Sequence, residues 1–196
     1  MSYKSNHHKL SIYEKSILIA ELSAALWVHI AVFEITLRKF LHSSLSKSYK
    51  TNRWWLTSNL LTAKDRAGFE YSEKRLALQK RKVTPILVVH NSSFSLCIEL
   101  LSKRYHQKIW MKLLKYFPTY PGRREDFYKR AREIRNLRNL IAHHAPILHR
   151  NLLRDHQYLH ELTMILDPQL AQEVQKRSRV LDLLLNARLV GSGGGI

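Results

Sequence analysis

Hydrophobic positions in this chain recur mainly at spacings of three and four residues, the repeat of an amphipathic helix. Together with flanking helix-start and helix-stop residues, the repeat predicts helices over 11–48, 62–82, 90–103, 106–116, 123–143, 149–166 and 168–189. The 11–48 and 123–143 helices should be the longest. The β-branched run from Pro85 to Val89 leads directly into an Asn-Ser-Ser helix start and is interpreted as a loop or first helical turn. The pattern therefore predicts an all-α bundle.

The length of 196 residues suits one domain with a sizeable core. We expect a single domain over residues 1–190. The last six residues, 191–196, are Gly-Ser-Gly-Gly-Gly-Ile and are typical of a flexible tail or a fusion remnant.

Charge is the unusual part of the composition. The chain has 33 Lys and Arg residues against 15 Asp and Glu residues, a formal net charge of +18. The excess is concentrated between Lys103 and Arg154, where fourteen basic residues face three acidic ones. Such a field attracts polyanions, and nucleic acid is the commonest polyanion inside a cell. A generally basic, solvated surface, a ribosomal role or a membrane-surface role would account for the charge alone.

Cysteine content and the terminal pattern favour a cytoplasmic protein. Cys97 is the only cysteine, so a disulfide within one chain is impossible and a reducing compartment fits. Residues 1–10 lack the apolar core of a signal peptide. The most apolar window, 17–33, is interrupted by Glu21 and His29, which favours a buried or dimer-facing helix over a membrane span.

Candidate chemistry is concentrated in the segment 135–147, which holds two Arg-Asn pairs, two adjacent histidines and a proline. Asn139 and His143 are four residues apart and share one helix face with Arg135. Arginine offers a forked donor set to phosphate, and histidine carries protons near neutral pH. The segment is therefore a candidate site for phosphodiester cleavage.

Arg138, Asn139 and His143 match the R-N-x-x-x-H motif, and the longer string around them resembles the Abi-like (abortive infection) family of the HEPN ribonuclease superfamily. Three other stretches agree with this resemblance: residues 22–38, which contain the Glu34/Arg38 pair, residues 102–118, and residues 153–182. The resemblance covers most of residues 12–185. It implies a HEPN-like bundle with two long helices and a metal-independent endoribonuclease that needs no cofactor.

In that reaction the ribose 2′-hydroxyl of RNA attacks the neighbouring phosphodiester. His143 would move the proton, Arg138 would stabilise charge on the phosphate, and Asn139 would orient the phosphate or the imidazole. Four residues are supporting candidates: His144, Arg135, Glu34 and Arg38. Five bases should contact the RNA backbone without reading sequence: Arg123, Arg124, Lys129, Arg130 and Arg132.

Helix geometry separates the two principal candidates. Residues 138 and 143 lie roughly 140° apart around an ideal helix. Either the helix unwinds near Pro146, or the site is shared across a two-fold axis. The resemblance implies a homodimer formed through the motif helix, which would place Arg138 and His143 of both chains in one cleft. It further implies a toxin in phage defence, held by a cognate antitoxin, for which an inhibitory small RNA is one candidate.

Several alternatives remain open from the residues alone. The same basic groove could serve a non-catalytic RNA-binding scaffold, or the motif could only stabilise a dimer of a partner-binding module. Histidines at 143, 144, 149, 156 and 160 raise the option of a metal site, although no nearby cysteine accompanies them. The connection after the first helix contains Arg53, Trp54 and Trp55. Paired tryptophans beside a base could stack on RNA bases, but we expect them to cap the core. Asp155 and His156 are expected to be surface capping and hydrogen-bonding groups.

Overall fold

A computed structural model describes residues 11–191, with side chains as far as Ala187, and this part of the chain is helical and has no strand. The prediction of an all-α chain is confirmed. Within residues 11–191, nine α-helices follow one another: α1 (Ile12–Tyr49), α2 (Ala63–Leu78), α3 (Pro85–Asn91), α4 (Phe94–Glu99), α5 (Met111–Leu113), α6 (Arg124–Ala142), α7 (Leu152–Leu166), α8 (Pro168–Lys176) and α9 (Val180–Gly191). Short 3₁₀ and π turns fill Trp54–Leu56, Lys103–Trp110 and Leu114–Tyr116.

Helix α1 is the axis of the bundle. A capping box starts it: the Glu14 amide donates to Ser11 Oγ at 3.2 Å, and the Ser11 amide donates to the Glu14 carboxylate at 2.7 Å. Its buried stripe follows the helical repeat: Leu22, Leu26, Ile30, Phe33, Leu37, Leu41 and Leu45. Helix α1 contacts α3, α4, α5, α6, α7 and α9.

By length and composition, α1 could also cross a membrane, a test that core helices of soluble proteins meet as well. Only 28% of its most apolar window is buried. Several apolar side chains of this helix are exposed: Ile12, Tyr13, Ile17, Trp27, Val28 and Ile35.

Helix α6 is the second long element, with 19 residues, so the prediction for the two longest helices is confirmed. It buries one stripe against α1, α4 and α7. The helix ends in a Schellman motif: the amide of His144 donates to the Ile141 carbonyl at 3.1 Å, and the amide of Ala145 donates to the Leu140 carbonyl at 2.9 Å. His143 is thereby the C-cap and lies outside the regular helix.

Trp54 and Trp55 belong to the core. Both are fully buried, their rings are 5.5 Å apart, and each packs on Phe69 of α2. The expectation that they cap the core is confirmed, and their burial leaves no ring face for RNA bases.

The 85–89 run, interpreted as a loop or first helical turn, is helical: it begins the seven-residue α3, with Thr84 as N-cap and Pro85 at its first position. Two helix predictions were wrong. The predicted 90–103 helix is shorter, because α3 ends at Asn91 and α4 covers only Phe94–Glu99. The predicted 168–189 helix is two helices, because the chain turns at Arg177–Arg179. Gly191, assigned to the tail, is the last residue of α9, and positions 192–196 lie outside the described residues, as do residues 1–10.

Asp155 and His156 are buried, so their assignment to the surface was wrong. Asp155 is fully buried because Arg150 neutralises it through a two-pronged ion pair of 2.7 and 3.1 Å. His156 packs edge-on against His29, with ring centroids 4.6 Å apart. Ser178 Oγ lies 2.9 Å from His29 Nε2 and 3.2 Å from His156 Nε2, and thus joins the α8–α9 turn to α1 and α7.

We expect this histidine pair to make the fold sensitive to acid. Burial and the neighbouring histidines lower the pKa of His29 from 6.5 to about 4, so the folded state favours neutral imidazole. The contribution is complete above pH 6.5 and is lost as the pH falls toward 4, since the unfolded chain binds the proton first. The free energy of unfolding in urea should fall by about 1–2 kcal/mol from this group between pH 7.5 and 5.

His29→Gln should flatten that pH dependence, whereas the same change at the exposed His149 should not alter it. An unchanged slope in His29→Gln would contradict the assignment.

Candidate functional site

Arg138 and Asn139 of α6 open onto a polar cavity of about 300 Å³. The cavity lies where α1, α2 and α6 meet the junction between α3 and α4. Its lining is strongly polar: Arg38, Arg75, His90, Asn91, Ser92, Ser93, Phe94, Ser95, Arg138 and Asn139. We call it the arginine pocket, because three guanidinium groups from three helices converge there.

Arg38 forms the floor of the arginine pocket. It is 8% exposed, and its Nη2 donates to the Ser92 carbonyl at 2.9 Å and pairs with Glu34 at 2.6 Å. Both side chains are on α1, one turn apart, which is the spacing that favours such a pair. The Nε of Arg38 is buried and has no hydrogen-bond partner among the described residues.

Glu34 links Arg38 to Arg138. Its second carboxylate oxygen lies 3.7 Å from Arg138 Nε, within ion-pair range but too far for a hydrogen bond. The Arg138 guanidinium also lies over the Trp27 ring, 5.8 Å from its centroid. The carboxylate and the ring fix Arg138 from the α1 side.

The far wall of the pocket is fixed by hydrogen bonds around His90. Arg75 of α2 donates to the Asn91 carbonyl at 3.0 Å, and Ser92 Oγ donates to the Val89 carbonyl at 2.7 Å. Burial, followed by the positive charge of Arg38, lowers the pKa of the half-buried His90. His90 is therefore a neutral imidazole near pH 7.

A second cavity of about 490 Å³ continues the arginine pocket, since Ser93 and Ser95 line both. It adds Lys64, Arg104 and Arg135 as bases, and Asp65 and Glu99 as acids. We call the two cavities together the arginine groove. An extended polyanion could follow it past the serine hydroxyls with a base on either side.

The structure does not bring His143 into the arginine pocket. His143 is exposed at the end of α6, and His144 after it adopts left-handed backbone geometry with φ of 53°. His144 lines a separate, largely apolar groove of about 850 Å³ with Ile141 and Pro146, against the first half of α1. Trp27 also lines this groove, so its ring stands between the apolar groove and Arg138.

The structure thus joins Arg138 and Asn139 with Arg38 in one cavity, and Arg135 in the adjoining one. Glu34 lies beneath, as a partner of two arginines. His143 and His144 lie beyond them at the helix end.

The predicted RNA-backbone contacts divide into two groups. Arg123, Lys129 and Arg132 are exposed, and the half-buried Arg130 pairs with Glu161 at 2.7 Å. The prediction for Arg124 was wrong: it is 4% exposed, because its Nη1 donates to the Leu101 carbonyl at 3.1 Å and fastens the start of α6 to the core.

Four basic residues of the groove were missed in the sequence: Lys64, Arg75, His90 and Arg104. They belong to segments separate from α6, and only the packing of α2, α3 and the 103–105 turn brings them near that helix.

No metal cluster stands out: within residues 11–187, no three His, Cys, Asp or Glu side chains are grouped to hold an ion. His156, a ligand candidate by spacing, packs on His29.

Comparison of the chain with protein-family models, with curated proteins and with solved structures gives no match in any of the three. The likeness to HEPN proteins therefore rests on the sequence motifs described above.

Arg38 and Arg75 should differ sharply when truncated. Arg38→Ala leaves the buried Glu34 carboxylate with only the distant Arg138 as a partner, and should lower the free energy of unfolding by roughly 2–4 kcal/mol. Arg75→Ala removes an exposed side chain and should cost about 1 kcal/mol or less. Urea denaturation of both variants measures the difference, and equal losses would contradict the buried pair.

Proposed function

We propose that this protein is a metal-independent endoribonuclease of the HEPN type, the toxin of an abortive-infection or toxin–antitoxin defence system acting in the cytoplasm. The observation that carries the proposal is the convergence of Arg138 and Asn139 of the R-N-x-x-x-H motif with Arg38 in the arginine pocket. The net charge of +18 favours a polyanionic substrate.

The pocket suits a phosphate. Arg38 and Arg138 each keep a buried Nε without a hydrogen-bond partner in the described chain, and a phosphate oxygen is the acceptor that a guanidinium binds best. Arg138 would stabilise the charge that builds on the phosphate in the transition state, and Asn139 would orient the phosphate. His143 would carry a proton. The nucleophile is the 2′-hydroxyl of the substrate, so RNA is cleaved and DNA is not.

A homodimer would complete this site. His143 lies at the end of α6 next to the apolar groove, which Trp27 of α1 also lines, and the same helix exposes further apolar side chains such as Ile12 and Ile17. A two-fold contact through α1 and α6 would cover this surface and bring His143 toward the partner's phosphate. A toxin of this kind needs a cognate antitoxin, and an inhibitory small RNA could occupy the basic groove.

The second candidate is a non-catalytic RNA-binding scaffold, for which the position of His143 outside the arginine pocket is the specific argument. In that case the groove binds RNA and no strand is cut.

Purified protein incubated with RNA in EDTA should release products with a 2′,3′-cyclic phosphate and a 5′-hydroxyl, because the nucleophile belongs to RNA. His143→Ala and Arg138→Ala should each lower the cleavage rate by about 10²-fold or more. His149→Ala is the matched control, since His149 is an exposed histidine on another face.

Cleavage that requires a divalent metal, or products ending in a 5′-phosphate, would overturn the mechanism. RNA that is bound tightly but never cut would favour the scaffold.

Mixing Arg138→Ala chains with His143→Ala chains tests the shared site. If one phosphate needs Arg138 from one chain and His143 from the other, the heterodimer retains one intact pair and should recover up to about half of the activity of the wild-type dimer per dimer, by the symmetry of the assembly. Subunit exchange is followed with two affinity tags. A mixture that exchanges subunits but stays inactive rules out this division between chains.

A further inference from the structure

His90 is held in the arginine pocket with its ring free. It ends α3, where Val89 before it is buried and Asn91 after it is fixed through its carbonyl by Arg75. No described residue forms a hydrogen bond to the His90 imidazole, so both ring nitrogens remain available to a ligand. Because the backbone on both sides is anchored, the position of His90 at the pocket is set before a ligand arrives.

His90 lines the same cavity as the phosphate donors Arg38, Arg138 and Asn139, whereas His143 of the same chain lies outside it. A phosphate held by the two arginines would bring the adjoining ribose into a cavity of about 300 Å³ whose lining includes a single histidine. Proton transfer requires such contact, within hydrogen-bond reach.

The charged groups around His90 favour proton acceptance by its imidazole over proton donation. The groups that face His90 are Arg38 and His42 from α1, Arg75 from α2 and Arg138 from α6. Burial and the charge of Arg38 lower the pKa of His90, so the ring is neutral at cellular pH and can accept a proton.

We propose that His90 is the general base of the arginine pocket, a role that rests on the proposed ribonuclease function and divides the proton transfers between two histidines. His90 takes the proton of the ribose 2′-hydroxyl, and the 2′-oxygen forms a bond to phosphorus. The bond from phosphorus to the 5′-oxygen breaks, and that oxygen receives a proton from protonated His143. The products are a 2′,3′-cyclic phosphate and a 5′-hydroxyl, and solvent then restores both imidazoles.

Single-turnover cleavage of a short RNA in EDTA between pH 4.5 and 9 tests the role. The wild-type rate should rise with pH below 6.5, as His90 loses its proton. His90→Gln should be slower by about 10²–10⁴-fold and should lack this rise, while its affinity for the RNA stays within about threefold. His149→Gln should match the wild type in rate and pH profile.

Chemical rescue is a second measurement. His90→Ala leaves a small cavity where the ring was, and imidazole added to the solution can enter it. The added imidazole should restore part of the cleavage activity, an effect that a merely structural role would not give.

The outcomes separate the two proposals. Wild-type protein that cuts no RNA overturns the proposed function and His90 with it. Wild-type protein that cuts RNA, with His90→Gln equally active or slowed without any change of pH profile, overturns the role of His90 alone.

Discussion

The ion pair between Glu34 and Arg38 joins the parts of the fold that form the candidate site. Arg38 reaches from α1 to the Ser92 carbonyl and thereby fixes the junction of α3 and α4, while the other oxygen of Glu34 faces Arg138 of α6. Both side chains are largely buried, so removing one leaves the other without compensation in a poorly solvated place. The position of three separate segments thus depends on one turn of α1.

Electrostatics explains why this arrangement suits an anion. Three guanidinium groups line the arginine pocket, and among the described residues Glu34 is the acid within ion-pair range of two of them, Arg38 and Arg138. The Nε atoms of Arg38 and Arg138 have no hydrogen-bond partner among the described residues, and a buried donor left without one costs about 1–3 kcal/mol. A bound phosphate would supply acceptors for such donors and a charge of opposite sign, so part of the cost of burying the arginines would be offset on binding.

Features of the fold that depend on neighbouring residues in the chain, such as the bounds of the long helices, were predictable from the sequence. The apolar repeats of α1 and α6 and the cap signals around them were sufficient to predict both helices within about two residues. Burial of Arg124 and Asp155 could not be predicted, because their partners are the Leu101 carbonyl and Arg150, whose proximity is set by packing. The break before α9 likewise depends on Ser178, which contacts His29 from 149 positions away. His90 and Arg75 escaped notice for the same reason.

The way α6 ends separates the histidine of the R-N-x-x-x-H motif from its arginine and asparagine. A Schellman motif needs a left-handed residue after the C-cap, and here that residue is His144, although glycine would avoid a cost of about 1–2 kcal/mol. Because the turn closes on Leu140 and Ile141, His143 leaves the helix one turn beyond the pocket-lining Asn139. An imidazole held there faces solvent beside an apolar groove and lies outside the arginine pocket of its own chain. In-line displacement needs proton transfer on opposite sides of the phosphorus, and the proposed base inside the pocket with an acid delivered from outside it would meet that requirement.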